Sequence, residues 1–471
     1  FSYIDDVIFC LEKLALDKVI KNWTGFGIAL QAYGKRSINV IHWINKILDK
    51  REKMHLRLVK GAYWDYEIKH AQVFGYEDYP VYSKKSLTDI SFLLCAKEIL
   101  KNEKIYAKFA THNAHTISSV HQLGQGKDYE FQRLYGMGEL LYQSAEKVLN
   151  LEKKPSVYAP IGSYKDLLQY LVRRLLENGA NSSFINRLLD PETDANWLAE
   201  NPAIRIEKEK IDIPLPKNIF TERKNSSGFD LSENSNLENL EKSISAHKKN
   251  KINAESIYVN RDEKEKVGQK VYSIANNEEI GTAIFDDPTN VKSALENFAS
   301  EKWSKYSVQE RSQILIKISD DIEKDPSELI FYLLNEAGKT IQNAIDEIRE
   351  AIDFLRYYSR QIIEIHGKKS LQGPTVEINK ISYSPKGNYL CISPWNFPVA
   401  ILIGQISAAL ACGNNVVVKP SENTSILGYL IVKKFHENGV PIETLQLILG
   451  DGMYGDVLTK VNTIHGVAFT G

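Results

Sequence analysis

Short apolar strands alternate with amphipathic stretches through the first 190 residues. Gly27–Tyr33, His55–Val59, Tyr106–Thr111, Glu130–Tyr135 and Ser156–Ile161 read as strands. Helical sequence lies around and between them, at Asp5–Leu16, Ser86–Lys101 and Leu140–Leu149. After the last strand, Leu167, Leu168, Leu171, Val172, Leu175 and Leu176 recur at helical spacing. This alternation predicts a parallel sheet or barrel, with polar residues gathered at the C-terminal strand ends, where a β/α barrel builds its site. A closed barrel takes eight strands, so the five read here leave about three to lie upstream.

The pattern changes between 190 and 255. This stretch is polar, with Pro191, Pro202, Pro214 and Pro216 and a Ser/Asn/Glu/Lys-rich run, and it reads as a linker with one exposed helix near 236–247. Hairpin-like sequence follows at Lys270–Ile284, then a helical block from 290 to 365. Beyond Leu390, strands at Asn415–Lys419, Leu445–Leu449 and Val467–Phe469 alternate with helices, as in half of a doubly wound α/β sheet. The division predicted is 1–189, a linker over 190–255, and 256–471.

Charge and cysteine content narrow the function classes. Lys and Arg number 59 against 60 Asp and Glu, a balance that gives no electrostatic footprint for nucleic acid. The cysteines, at 10, 95, 391 and 412, form no metal-binding or disulfide spacing and fit a reducing, cytoplasmic setting. The most apolar run, Val399–Gly413, is too short to span a bilayer and reads as a core helix. Opening on Phe1 inside helical sequence, the chain reads as an internal fragment.

Three clusters carry candidate chemistry in the first region. Arg57 and Lys60 close an apolar strand and are followed by Gly61 and Trp64, a basic strand end suited to a phosphate or an electron-rich ring. Thr111-His112-Asn113-Ala114-His115 follows another strand; with no Cys or carboxylate beside the histidines, cofactor contacts fit better than a metal. Arg173 and Arg174 are helix neighbours about 100° apart, with Tyr170 and Glu177 at i,i+4 spacing, so they read either as a bidentate carboxylate clamp or as exposed paired charges.

In this order, QAYGKR (31–36), VKGAYWD (59–65), YPVYSKK (79–85), ATHNAHT (110–116), EFQRLYGMGE (130–139), YAPIG (158–162) and YLVRRLLENGANSSFINR (170–187) resemble the proline dehydrogenase domain of bifunctional proline utilisation (PutA) proteins. The resemblance implies part of a (β/α)8 barrel that holds FAD and oxidises L-proline to Δ1-pyrroline-5-carboxylate. It assigns Gln31, Arg57, Val59, Lys60, Gly61, Ala62, Trp64, Thr111, His112 and Asn113 to FAD. It assigns Arg173 and Arg174 to the proline carboxylate, Tyr63, Tyr158, Tyr170 and Leu58 to the walls around its ring, and Glu177 to Arg173. Ser83-Lys84-Lys85 departs from the family's Thr-Arg-Lys, and a Lys and an Asp of the family pocket fall before Phe1. A barrel so interrupted is expected to retain flavin weakly, because its sheet edges stay unpaired.

In the second region, Asn396 in SPWNFP (393–398) follows a strand and reads as an oxyanion donor or as a capping turn residue. Lys419 and Glu422 in VVVKPSE (416–422) read as ribose contacts or as a charged loop. GDGMYG (450–455) matches a dinucleotide turn but lacks the acidic strand end expected about 20 residues on. With GVAFTG (466–471), these motifs resemble the aldehyde dehydrogenase superfamily. The resemblance implies an NAD cleft lined by Trp395, Lys419, Glu422, Gly455, Thr470 and Gly471, with Asn396 as oxyanion donor. It also places the nucleophilic Cys and a Glu base beyond Gly471, with Cys391 and Cys412 structural.

Together the two resemblances imply proline catabolism to glutamate through FAD and NAD. They also imply a quinone electron acceptor, peripheral association with the inner face of the cell membrane and a homo-oligomer when complete. No metal and no nucleic-acid contact are expected. The alternative is a catalytically inert product of a split or partial gene.

Overall fold

The structure is a computed structural model. It describes the chain except residues 1–2, 180–199, 210–212, 262–265, 297, 299 and 368, and the side chains of residues 173, 175–179, 208, 266 and 369. Its residues divide into two compact units, Phe1–Val73 with Asp78–Leu215, and Phe74–Glu77 with Pro216–Gly471.

The first unit runs α1 (Ile4–Ala15), β1 (Gly27–Gln31), α2 (Ser37–Leu48), β2 (Met54–Val59), α3 (Trp64–Phe74), α4 (Lys85–Ile99), β3 (Ile105–Ala110), α5 (Ala114–Leu123), β4 (Tyr129–Leu134), α6 (Glu139–Leu149), β5 (Ser156–Tyr158), α7 (Tyr164–Gly179) and α8 (Pro202–Lys208). The five strands pair in sequential order, each parallel to the next. Such an order with helical crossovers is singly wound, the arrangement of a β/α-barrel segment. Strict alternation gives the sheet two unlike faces. Met54, Leu56 and Leu58 of β2 and Ile105, Ala107 and Phe109 of β3 are buried in the core with Ile41, Phe92 and Ile117 of the helices. The other face carries His55, Arg57, Tyr106 and Lys108. Leu58 is therefore corrected from substrate wall to core residue: a strand's period of two sends it to the opposite face from Arg57.

The second unit contains α9 (Asn234–Ser245), β6 (Ile252–Glu255), β7 (Lys266–Tyr272), β8 (Glu279–Asp286), α10 (Pro288–Glu296), α11 (Val308–Lys324), α12 (Ser327–Asn335), α13 (Ile341–His366), β9 (Lys369–Leu371), β10 (Asn379–Ile381), β11 (Asn388–Ile392), α14 (Ala400–Ala411), β12 (Asn415–Lys419), α15 (Ser425–Glu437), β13 (Leu445–Leu447), α16 (Gly452–Thr459) and β14 (Ile464–Phe469). The four parallel strands order β13-β12-β11-β14, so the winding reverses at β11. In an open α/β sheet ligands bind outside the strand C-termini at such a reversal. The predicted hairpin is β7 and β8, turning through Asn277 at φ 58°.

The polar stretch predicted as linker is mostly exposed where it is described but is anchored at a few points. Glu209 accepts the Lys85 and Ser86 amides at the start of α4, at 3.1 and 3.2 Å. Asn225 and Ser226 are buried, and Leu240 of α9 joins the core of the second unit. A few apolar anchors and buried polar side chains fix this segment, a signal that composition averages away.

Candidate functional site

In the first unit the assigned flavin residues lie at the C-terminal ends of β1, β2 and β3. Register sets Val59 beside Gln31 and Arg57 beside Lys108. Gln31 Oε1 accepts the Ala62 amide at 3.1 Å and so ties the loop after β2 to the end of β1. Gly61 is required there. Its φ is 143°, and a Cβ would lie 2.5 Å from the Tyr33 ring. Arg57 Nε donates to Gln132 Oε1 at 2.8 Å, while the guanidinium lies 4.8 Å from the Tyr158 ring centre. Gln132 in turn donates to Glu130 at 2.7 Å. Lys60 pairs with Asp89, and the Trp64 indole donates to the Tyr82 carbonyl at 2.9 Å.

The Thr111–Asn113 cluster is built into the loop after β3. The Thr111 carbonyl accepts the buried Tyr142 hydroxyl at 2.8 Å. Asn113 caps α5, its Oδ1 accepting the Thr116 amide at 2.9 Å. His112 Nε2 accepts the Leu134 amide at 3.2 Å, which requires a neutral ring. Burial first, then the charges of Arg174 and Arg133, push its pKa down to about 4. Arg174 of α7 is thus an electrostatic neighbour of His112, and its guanidinium lies 5.5 Å from the Tyr170 ring centre. Tyr63 is half exposed on the loop after β2. The side chains of Arg173 and Glu177 lie outside the described residues, as does the end of the quoted motif, 180–187. Among the described residues no group of His, Cys, Asp and Glu is arranged to hold a metal ion.

In the second unit the reversal of winding gathers three loop ends: Ser393–Asn396 after β11, Pro420–Glu422 after β12 and Thr470–Gly471 after β14. They line a cleft of about 460 Å³, within the ~300–1,000 Å³ of small-molecule sites. Lys419 is buried at its base, with Nζ 3.1 Å from the Pro420 carbonyl and 3.9 Å from Glu422. Burial lowers the Lys419 pKa. Gln405 Nε2 bridges the Ile392 carbonyl and Thr470 Oγ1, both at 3.2 Å. Ser393 lines the cleft with a buried hydroxyl that has no hydrogen-bond partner among the described residues. A Cβ on Gly455 would touch the Lys419 side chain at 3.8 Å, so the glycine turn lies against the same lysine. It follows β13, two strands from the reversal, and so sits apart from the first βα turn of the usual dinucleotide fingerprint. Trp395 and Asn396 are exposed at the cleft. Cys391 is fully buried in β11, its thiol pushed up to about 12, and Cys412 lines a separate cleft between α13 and α14.

Sequence reading missed Gln132, Asp89, Ser393 and Gln405. Glu130 and Gln132 sit two apart on one strand face, a pattern that marks polar residues directed to a common side. Asp89 carries no such signal, since its partner Lys60 is 29 residues away.

Residues 3–187 match the proline dehydrogenase family model, and residues 258–471 match the aldehyde dehydrogenase family model. The chain is 39% identical to the bifunctional protein PutA of Salmonella typhimurium over 98% of its own length and 36% of that protein. It matches a Bradyrhizobium japonicum PutA structure with TM-score 0.87 at 36% identity, over 99% of this chain and 45% of that one. A Bdellovibrio bacteriovorus PutA structure gives TM-score 0.90 at 28% identity, over 100% of this chain and 50% of that one. The chain thus spans little more than a third of the curated relative and about half of the solved chains. It belongs to the PutA family, with a proline dehydrogenase region followed by an aldehyde dehydrogenase region.

Proposed function

We propose that the two regions serve consecutive oxidations, L-proline to Δ1-pyrroline-5-carboxylate with FAD and glutamate semialdehyde to glutamate with NAD. The observation that carries the reading is convergence. Arg174 of α7 neighbours Tyr170 and the His112 of the loop after β3, and Arg57 of β2 lies against Tyr158 of β5, so groups from the β2, β3 and β5 segments stand on one parallel sheet. The residues fit both cofactors: Arg57 and Lys60 put cationic groups beside an open loop that only glycine permits, and the second cleft offers an orphaned Ser393 hydroxyl and a buried lysine. When bound, FAD would accept hydride from the proline carbon beside nitrogen, and NAD would accept it from the aldehyde carbon.

In the first site Arg173 and Arg174 hold the proline carboxylate, and Glu177 steadies Arg173. Tyr63, Tyr158 and Tyr170 enclose the ring and exclude water, while the Gln31, Arg57 and His112 loops hold the flavin edge. The proline nitrogen gives up its proton as the carbon–nitrogen double bond forms, so orientation matters more than a strong base. In the second site Asn396 donates to a developing oxyanion, and Lys419 and Glu422 hold ribose hydroxyls. Trp395, Gly455, Thr470 and Gly471 complete the cleft wall. No cysteine lines that cleft among the described residues. Electrons from a bound flavin would pass on to a quinone, and the proposed setting is a homo-oligomer in the cytoplasm at the inner membrane face. Among the described residues no helix is long and apolar enough to cross a membrane.

The test is steady-state turnover of the full-length gene product. It is expected to form glutamate and NADH from L-proline. Arg174→Met is expected to lower kcat/KM for L-proline about 100-fold, the loss of about 3 kcal/mol from a charge-assisted pair. Glutamate semialdehyde oxidation should be unaffected. Oxidation of another small amino acid with no turnover of proline would sink the assignment.

A further inference from the structure

Two of the three loop ends that wall the cleft of the second unit run into helix N-termini. The Trp395–Asn396 turn leads into α14, and the Lys419–Glu422 turn leads into α15. A helix start leaves its first N–H groups without partners inside the helix. At α11, α13 and α16 the N-cap side chains of Ser307, Thr340 and Asp451 supply them, whereas the N-cap residues of α9 and α12 make no such bond. At α14 and α15 the N-cap residues, Val399 and Thr424, make no side-chain cap. Two distant glutamates take their place. Glu347 of α13 accepts the Val399 and Ala400 amides at 2.8 and 3.2 Å. Glu336, just after α12, accepts the Ile426 and Leu427 amides at 2.8 and 2.9 Å.

Both side chains are buried, at 1% and 4% exposure, in a segment that supplies no residue to the cleft lining. Lys339, between them in sequence, pairs with Glu347 at 2.5 Å and lies 4.0 Å from the Phe397 ring centre, so the turn after Asn396 is gripped on its side chain as well as its backbone. Burying two acidic groups is a costly way to cap a helix that one local Ser or Asp would serve. A distant cap makes sense where the loop's own side chains are committed to a ligand.

We propose that Glu347 and Glu336 are positioning residues for the cleft, Glu347 setting the Trp395–Asn396 turn and Glu336 setting the Lys419–Glu422 turn. The proposal rests on reading this cleft as the NAD site. That reading puts the adenosine ribose at Lys419 and Glu422, so the two glutamates govern different parts of one ligand. The experiment titrates the 471-residue chain with NADH and separately with AMP, which carries only the adenosine end. Glu336→Ala is expected to weaken both ligands about tenfold, and Glu347→Ala to weaken NADH about tenfold while AMP stays within about twofold. Leu355→Ala, a core change on α13, supplies a control for lost stability alone and is expected to leave both affinities in place. If Glu347→Ala fails to fold, Glu347→Gln replaces it and is expected to show the same selective loss of NADH affinity. Equal loss of both ligands in both variants, or a loss no greater than in Leu355→Ala, overturns the positioning roles. Binding of neither ligand by the unaltered chain overturns the NAD reading and this inference with it.

Discussion

His112 accepts the Leu134 amide through Nε2, and burial with the Arg174 and Arg133 charges brings its pKa to about 4. The unfolded histidine takes up a proton near pH 6.5, whereas the folded one stays neutral until about 4. Stability is therefore fully present above 6.5 and is lost as pH falls through that window, by up to about 3 kcal/mol. Urea unfolding across the window should show this slope, and His112→Gln, which keeps an acceptor without titrating, should flatten it. An unchanged slope in the variant would place the titration elsewhere. At this scale the sequence makes charged residues at strand ends visible, because Arg57 and Lys60 interrupt apolar runs. It leaves their partners dark, because Gln132 and Asp89 reach them through tertiary packing.

Elements were more legible than residues. The period-two pattern of β2 and β3 and the amphipathic spacing of α7 announce themselves locally. Their orientation follows from the same periodicity, which is why Leu58 belongs to the core although the family resemblance placed it at the substrate. Helix ends are another matter. The capping of α14 and α15 comes from 52 and 90 residues away, and its one local trace is a glutamate set in the apolar stripe of α13 between Ile345 and Ile348. The cap at α15 also has a pH signature. Burial raises Glu336 to about 8 although two amide donors pull it down, so the folded group keeps its proton where the unfolded one loses it near 4.5. Stability should fall as pH rises from about 4.5 to about 8. Thermal unfolding of Glu336→Gln beside the unaltered chain should show that fall only in the latter.

At the scale of the whole chain, two winding patterns stand in one sequence. One unit carries a sequential parallel sheet with its chemistry on the face away from the helices. The other carries a reversed order with its cleft at the reversal. Alternation of strands and helices reveals that both are α/β, but strand order is a tertiary property, and only the motifs hinted at which winding each would take. In the polar stretch read as a linker, the boundary between the two units falls at Leu215/Pro216, and Glu209, Ser226 and Leu240 anchor the chain on either side of it, contacts that composition does not reveal.

The central claim is that the first site recognises an α-carboxylate beside a flavin. Flavin-loaded full-length protein mixed without oxygen with L-proline, and in parallel with pyrrolidine, tests it most directly. The visible flavin absorbance should bleach with L-proline and persist with pyrrolidine, which has the ring but no carboxylate for Arg173 and Arg174 to hold. Equal bleaching by both, or none with L-proline, would contradict the account.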